Sequence, residues 1–248
     1  MILALRSGIE YLGRLGLMAG EAAAAITRLR IHWGDTLVQL REIGVRSLPV
    51  VLATILFSAA TFAYHLQAVV RNLGMRDAVG GLVGLAIVRE VAPVMCAVCV
   101  IARCGSAMTA ELGTMRVSEQ VDALVSLTVR PVEFLVVPRL VATVLMMPVH
   151  YAYGLLVGIA GGIVVSWGGG VSTAMFMTSL SDRLAAGDLY GGLVKVVVFG
   201  VALSLIACAS GLSASGGSRG VGRATTSSVV ISLLAVYALN YLVDLIIW

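Results

Sequence analysis

Charge is scarce in this chain. Only 12% of its 248 residues are Asp, Glu, Lys or Arg, where a soluble domain carries about 25%. That deficit excludes an ordinary water-soluble enzyme or binding module. Lysine is scarcer still, since Lys195 is the single lysine among 17 basic residues. Arginine suits a membrane boundary, where its head reaches lipid phosphates while its stem stays in the apolar layer. The formal net charge of +4 is spread between apolar runs instead of gathered on one face, so a nucleic-acid partner is excluded.

Cysteine makes no framework either. Cys96, Cys99 and Cys104 lie in or at the end of one apolar segment and Cys208 in another. Cys96-x-x-Cys99 has no histidine or second cysteine pair at metal spacing, so the four read as small buried apolar residues. The N-terminus reads as lacking a signal peptide, because Met1 to Leu5 is too short for its apolar core. No Ser/His/Asp or Cys/His set is evident, and His32, His65 and His150 read as packed histidines. Gly217 to Arg223 approaches a phosphate loop but has arginine for its lysine and then Ala224, so any ATP that drives this protein binds another chain.

What is present is apolar length. Hydrophobic residues make up 59% of the chain and mean hydropathy is +1.01. Several runs of roughly 20 residues make it an all-α polytopic membrane protein.

Residues 1–47 are amphipathic and do not span. Ile26, Leu29, Trp33, Leu37, Leu40 and Ile43 recur at three- and four-residue steps, against a polar stripe of Arg28, Asp35, Gln39, Glu42 and Arg46. That pattern predicts a helix lying in the interface, with a shorter one over 8–18. Residues 48–248 form the span domain. The first span runs from Leu48 to about Val70, opened by Pro49. The second covers Val79 to Arg103, the third about Pro138 to Trp167, the fourth Leu189 to Leu212 and the fifth Thr226 to Trp248. Pro148 predicts a kink in the third. Gly154, Gly158 and Gly162 give it a face that a neighbouring helix can approach closely. A loop over 104–137 follows the second span. An amphipathic helix over 171–186 follows the Gly168-Gly169-Gly170 break.

Orientation follows from arginine counts. Arg6, Arg14, Arg28, Arg30, Arg41 and Arg46 fall on the same side as Arg103, Arg116, Arg130, Arg139, Arg219 and Arg223; the other side's loops carry only Arg71, Arg76 and Arg183. The positive-inside rule puts the N-terminus and the 104–137 loop in the cytoplasm, and the C-terminus outside.

Three charges interrupt the apolar spans. Arg89 and Glu90 lie about ten residues into the second span, roughly 15 Å below its start. Lys195 lies about six residues into the fourth, which enters from the same side. Intramembrane ionisable residues are expensive and mark functional sites by default. Neighbouring helical positions point about 100° apart, so one of Arg89 and Glu90 can face a cavity while the other pairs with a helix. The competing reading is an ion pair, such as Glu90 with Lys195, that only fixes helix register. In the 104–137 loop, Ser118 reads as an N-cap, Glu119 and Asp122 favour the first turns, and Val121, Leu124 and Leu127 form an apolar face. Such a helix can dock on a partner or lie idle against the membrane.

The run AELGTMRVSEQVDAL, with VREVAP before it, VVPR after it and GVGRATT before the last span, resembles the MlaE/YrbE family of ABC-transporter permeases. The resemblance covers nearly the whole chain from the interfacial helix onward, and SGGSRG over 215–220 departs from the family pattern. It implies a phospholipid-moving permease in a bacterial inner membrane, with the C-terminus in the periplasm. It implies a homodimer or closely related pair, a separate ABC ATPase that binds ATP and Mg, an MCE-domain ring protein, and no cofactor in this chain. By motif, Arg89, Glu90 and Lys195 take the place of lipid-pocket residues. Glu111, Gly113 and the Ser118–Leu124 segment with Glu119 and Asp122 take the place of the ATPase-coupling segment. Within the class, sterols, fatty acids or organic solvents are the alternative cargo. Outside it, the alternative is a non-transporting scaffold, which needs no charges in its spans.

Overall fold

The structure, a computed structural model, describes residues 2–29 and 31–248. Every regular element among the described residues is helical. Helix α1 covers Ile2–Thr27, and α2 covers Trp33–Leu40 with a π turn over Arg41–Val45. Helix α3 is Leu48–Asn72. Helix α4 is Val79–Val117, α5 Gln120–Ser126 and α6 Val132–Gly168. Then come α7 (Thr173–Arg183), α8 (Ala186–Leu212) and α9 (Gly217–Ile247). Five stretches are long and apolar enough to cross a membrane: 33–70, 79–117, 132–168, 186–212 and 217–247.

The glycine face of α6 does what its spacing predicts. A Cβ at Gly154 would lie 2.5 Å from Ile55 Cδ1, and one at Gly158 would lie 3.1 Å from Ile87 Cγ2. Helix α6 therefore packs backbone-close on α3 and α4. Between lipid-facing helices, van der Waals contact and interhelical hydrogen bonds replace the hydrophobic drive available in water. Thr109 Oγ1 supplies such contacts, 3.0 Å from Ala207 O and 2.9 Å from Ser228 Oγ, joining α4, α8 and α9. The four cysteines are free and buried among these helices.

Three boundaries differ from the sequence reading. Helix α4 does not stop at Arg103 but continues to Val117, because SAMTAELGTMRV is rich in helix formers and contains no proline. The expected interfacial helix over 26–46 is broken: α1 ends at Thr27, Leu29 adopts a left-handed φ of 55°, and α2 begins at Trp33. Helix α9 begins nine residues before Thr226, after Gly216 and Gly217 turn the chain at φ of 85° and 69°. Glycine takes those angles without the Cβ clash other residues meet. The expected helix over 171–186 is present as α7, and Ser172 caps it by accepting the Met175 N–H at 3.2 Å.

Both ends of the bundle are built by these turns. One end holds the start of α4, helix α7, the start of α8 and Trp248. Gly80 is set against the α7 backbone at Phe176, and a Cβ at Gly191 would lie 2.6 Å from the Trp248 ring. The other end holds α5, the 212–217 turn and the part of α1 whose Ala22 and Ala25 are buried with Leu112, Val121 and Leu135.

Candidate functional site

The site begins with a proline. Pro93 has no N–H, so the carbonyl of Arg89, four residues back, loses its helical donor. The Ala92 N–H reaches back five residues to Ile87 O, which leaves the Val88 carbonyl free as well. The result is a π turn over Ile87–Val91, a local widening that often accompanies functional sites. Both orphaned carbonyls find side-chain donors from other helices. Tyr151 Oη of α6 donates to Val88 O at 3.0 Å, and Lys195 Nζ of α8 donates to Arg89 O at 2.7 Å. Gly192 lets α8 come this close, because a Cβ there would meet the Tyr151 hydroxyl and stand 2.8 Å from Val88 O.

Around that turn the charges form one network. Lys195 is wholly buried and lies 2.6 Å from Glu90 Oε1 and 2.6 Å from Asp244 Oδ1. Asn240 Nδ2 donates to Glu90 Oε2 at 2.8 Å and to Asp244 Oδ2 at 3.3 Å. Arg89 turns the other way, donating Nε at 2.8 Å and Nη2 at 2.6 Å to Asp188 Oδ1. Asp188 Oδ2 also accepts the Ala185 N–H at 2.8 Å, which fixes the first turn of α8. Trp248 closes the end, with its ring centroid 4.6 Å from Arg89 Cζ and 5.1 Å from Lys195 Nζ.

The structure thus brings Arg89, Glu90 and Lys195 together, and the Glu90–Lys195 ion pair is real. It is not a closed pair. Glu90 remains 46% exposed in the single chain and Asp244 30%, while the Lys195 beneath them has no exposure. Sequence reasoning missed Asp188, Asn240, Asp244 and Trp248 as members. The available signal was Asn240 and Asp244, polar residues four apart on one face of the last apolar helix.

At the opposite end, Glu111 pairs with the buried Arg139 at 2.7 Å, and Arg139 also donates to Leu135 O at 2.7 Å. Gly113 packs where a Cβ would lie 3.3 Å from Ala214 and from Val221. Ser118 is not the N-cap of α5. It is the C-cap of the α4 helix, its hydroxyl donating back to Thr114 O at 2.8 Å. Glu119 holds the N-cap position at a left-handed φ of 61°, because the chain must reverse within one residue between two helices. Asp122 forms a salt bridge with Arg116. Val121 is buried and Leu124 half-buried, whereas Val125 and Leu127 are exposed.

The family model for permease MlaE matches residues 36–246, nearly the whole chain and both of these regions. The chain belongs to the MlaE permease family. Among similar proteins is one named a probable ABC transporter permease protein from Synechocystis sp., 38% identical over 90% of this chain and 86% of its own length. A probable ABC transporter permease protein of Rickettsia felis is 36% identical over 94% of this chain and 91% of its own. Protein TRIGALACTOSYLDIACYLGLYCEROL 1, chloroplastic, of Arabidopsis thaliana is 36% identical over 92% of this chain, which spans 65% of that longer protein. This MlaE-family chain is therefore a multi-pass ABC-type transporter permease. In it the Arg89–Glu90 pair sits on a π turn, and the stretch after Arg103 is a continuous helix and not a loop.

Proposed function

We propose that this permease moves phospholipids between the bacterial inner membrane and the outer envelope, driven by ATP hydrolysis on a separate ATPase subunit that carries the ATP and Mg. The observation that carries the reading is the half-open charge network. A phospholipid has a charged head and long tails, and its pocket needs a few convergent polar groups in an apolar wall. Glu90, Asp244 and Arg89 offer the polar rim, and the surrounding valine- and leucine-rich helices offer the wall. The name of the Arabidopsis relative is that of a diacylglycerol lipid, which supports a glycerolipid cargo over sterols, fatty acids or organic solvents.

The functional unit is a homodimer working with an MCE-domain ring protein. Helix α9 has the least buried apolar surface of the five spans and so leaves a face that a second copy can cover. The arginine asymmetry supports a cytoplasmic N-terminus and a periplasmic C-terminus. In that orientation the α5 end, with Glu111, Gly113, Ser118, Glu119, Asp122 and Leu124, meets the ATPase. The test is lipid transfer in vesicles by the permease–ATPase complex carrying Glu90→Lys. The reversal sets like charges together in a poorly screened setting. Transfer falls sharply while ATPase assembly at the distant end persists; unchanged transfer overturns the reading.

A further inference from the structure

The network is not electrically balanced, and its imbalance lies on the open side. Two cations, Arg89 and Lys195, face three carboxylates, Glu90, Asp188 and Asp244. By formal count one negative charge is in excess. The buried cation is the committed member. Lys195 is wholly buried: its ammonium donates to Arg89 O and Glu90 Oε1 and is ion-paired with Asp244 Oδ1 at 2.6 Å. Arg89 gives Nε and Nη2 to Asp188 and its face to Trp248. Glu90 is the most exposed charge of the network at 46%, ahead of Arg89 at 37% and Asp244 at 30%.

Hydrogen-bond accounting points the same way. Both Asn240 Nδ2 protons go to Glu90 and Asp244, and Asn240 Oδ1 is a buried acceptor with no partner. A buried acceptor left unmade is costly. The Glu90–Asp244 side of the rim therefore has acceptors to spare, while the rim's one exposed cation, Arg89, is turned to Asp188. An alkyl primary ammonium supplies donors and positive charge together, with three N–H groups on one positive centre. A quaternary ammonium supplies the charge alone, and a phosphoglycerol headgroup supplies hydroxyl donors without the positive charge.

We infer that the Glu90–Asn240–Asp244 rim selects lipids whose headgroup ends in a primary ammonium, over anionic lipids. The inference rests on the proposed phospholipid function and assigns the headgroup class to that same site.

The first arm of the test leaves the rim intact. Tyr237 is exposed and lies seven residues before Asp244 on the same face of α9. A photoreactive residue replacing Tyr237 is placed in the permease–ATPase complex, in vesicles of equal parts phosphatidylethanolamine, phosphatidylcholine and phosphatidylglycerol. Mass spectrometry of the adducts is expected to show phosphatidylethanolamine over phosphatidylglycerol by about tenfold, equal to about 1.4 kcal/mol, with phosphatidylcholine between. Asp244→Asn in the same background brings the ratio toward one. Should that variant not fold, the ratio in the otherwise unchanged protein decides alone. Lipid capture without that preference, or with phosphatidylglycerol preferred, overturns the headgroup inference only. No lipid adduct from any vesicle overturns the proposed lipid function itself.

Discussion

Pro93 and Lys195 meet at one atom. The proline withholds the N–H that would cover the Arg89 carbonyl, and the Lys195 ammonium, 102 residues later, takes its place at 2.7 Å. Within its own helix the proline is a defect; across helices it creates the acceptor that anchors the one lysine of the chain. Gly192 and Tyr151 complete the junction by allowing α8 to approach and by covering the Val88 carbonyl.

That junction predicts a sharp contrast between two glycines of α8. Gly192→Ala drives a methyl into the Tyr151 hydroxyl and toward Val88 O, and overpacking of this kind costs about 1–3 kcal/mol. Gly187→Ala meets nothing within 4 Å and is expected to be neutral or slightly stabilising. Thermal unfolding in detergent checks both; equal melting temperatures contradict the junction.

Removing Lys195 deepens the negative excess. Lys195→Met strands Glu90 and Asp244, and breaking a buried pair costs about 3–5 kcal/mol. The lower end applies here, because both acids are partly exposed and solvent screens them. Adding Glu90→Gln and Asp244→Asn is expected to restore the melting temperature but not transport. A triple variant that remains as unstable as Lys195→Met would show that the cost arises from packing and not from stranded charge.

At the other end, Glu119→Lys with Asp122→Lys is expected to weaken ATPase copurification while the permease stays folded. The Arg116–Asp122 pair is exposed, and such pairs contribute at most about 1 kcal/mol. Loss of the partner therefore reports docking and not unfolding. Unchanged copurification removes the docking role from α5.

Topology has its own test. The native cysteines are buried, so single cysteines at 120 and 182 are read against a quiet background. An impermeant thiol reagent outside the cell is expected to label 182 and leave 120 unmodified. The reverse pattern overturns the arginine-based orientation.

How much was written in the sequence depends on range. Hydropathy located five spans, the glycine face of α6 and the α7 break, because those follow from composition and local spacing. Arg89, Glu90 and Lys195 stood out because charge is rare in apolar runs. Their partners did not. Asp244 meets Lys195 across 49 residues and Asn240 meets Glu90 across 150, distances no periodicity spans. Asp188 also lies just outside the span as read from Leu189. The π turn was legible only as Pro93, whose consequence depends on which donors arrive from other helices. The Ser118 cap failed for a local reason: serine is favoured at a helix start, yet helix-forming sequence before it carried α4 through to Val117 and made it an end.

The central claim is that the Glu90 rim faces a lipid. A photocrosslinker at position 90, in the assembled complex in phospholipid vesicles, tests it most directly. A second at position 154, where Gly154 abuts Ile55 and Cys96, serves as the internal control. Phospholipid adducts at 90 and helix-to-helix adducts at 154 are the predicted result. Position 90 without lipid, in a complex that expresses and assembles normally, would reduce the network to a structural ion pair and contradict the account.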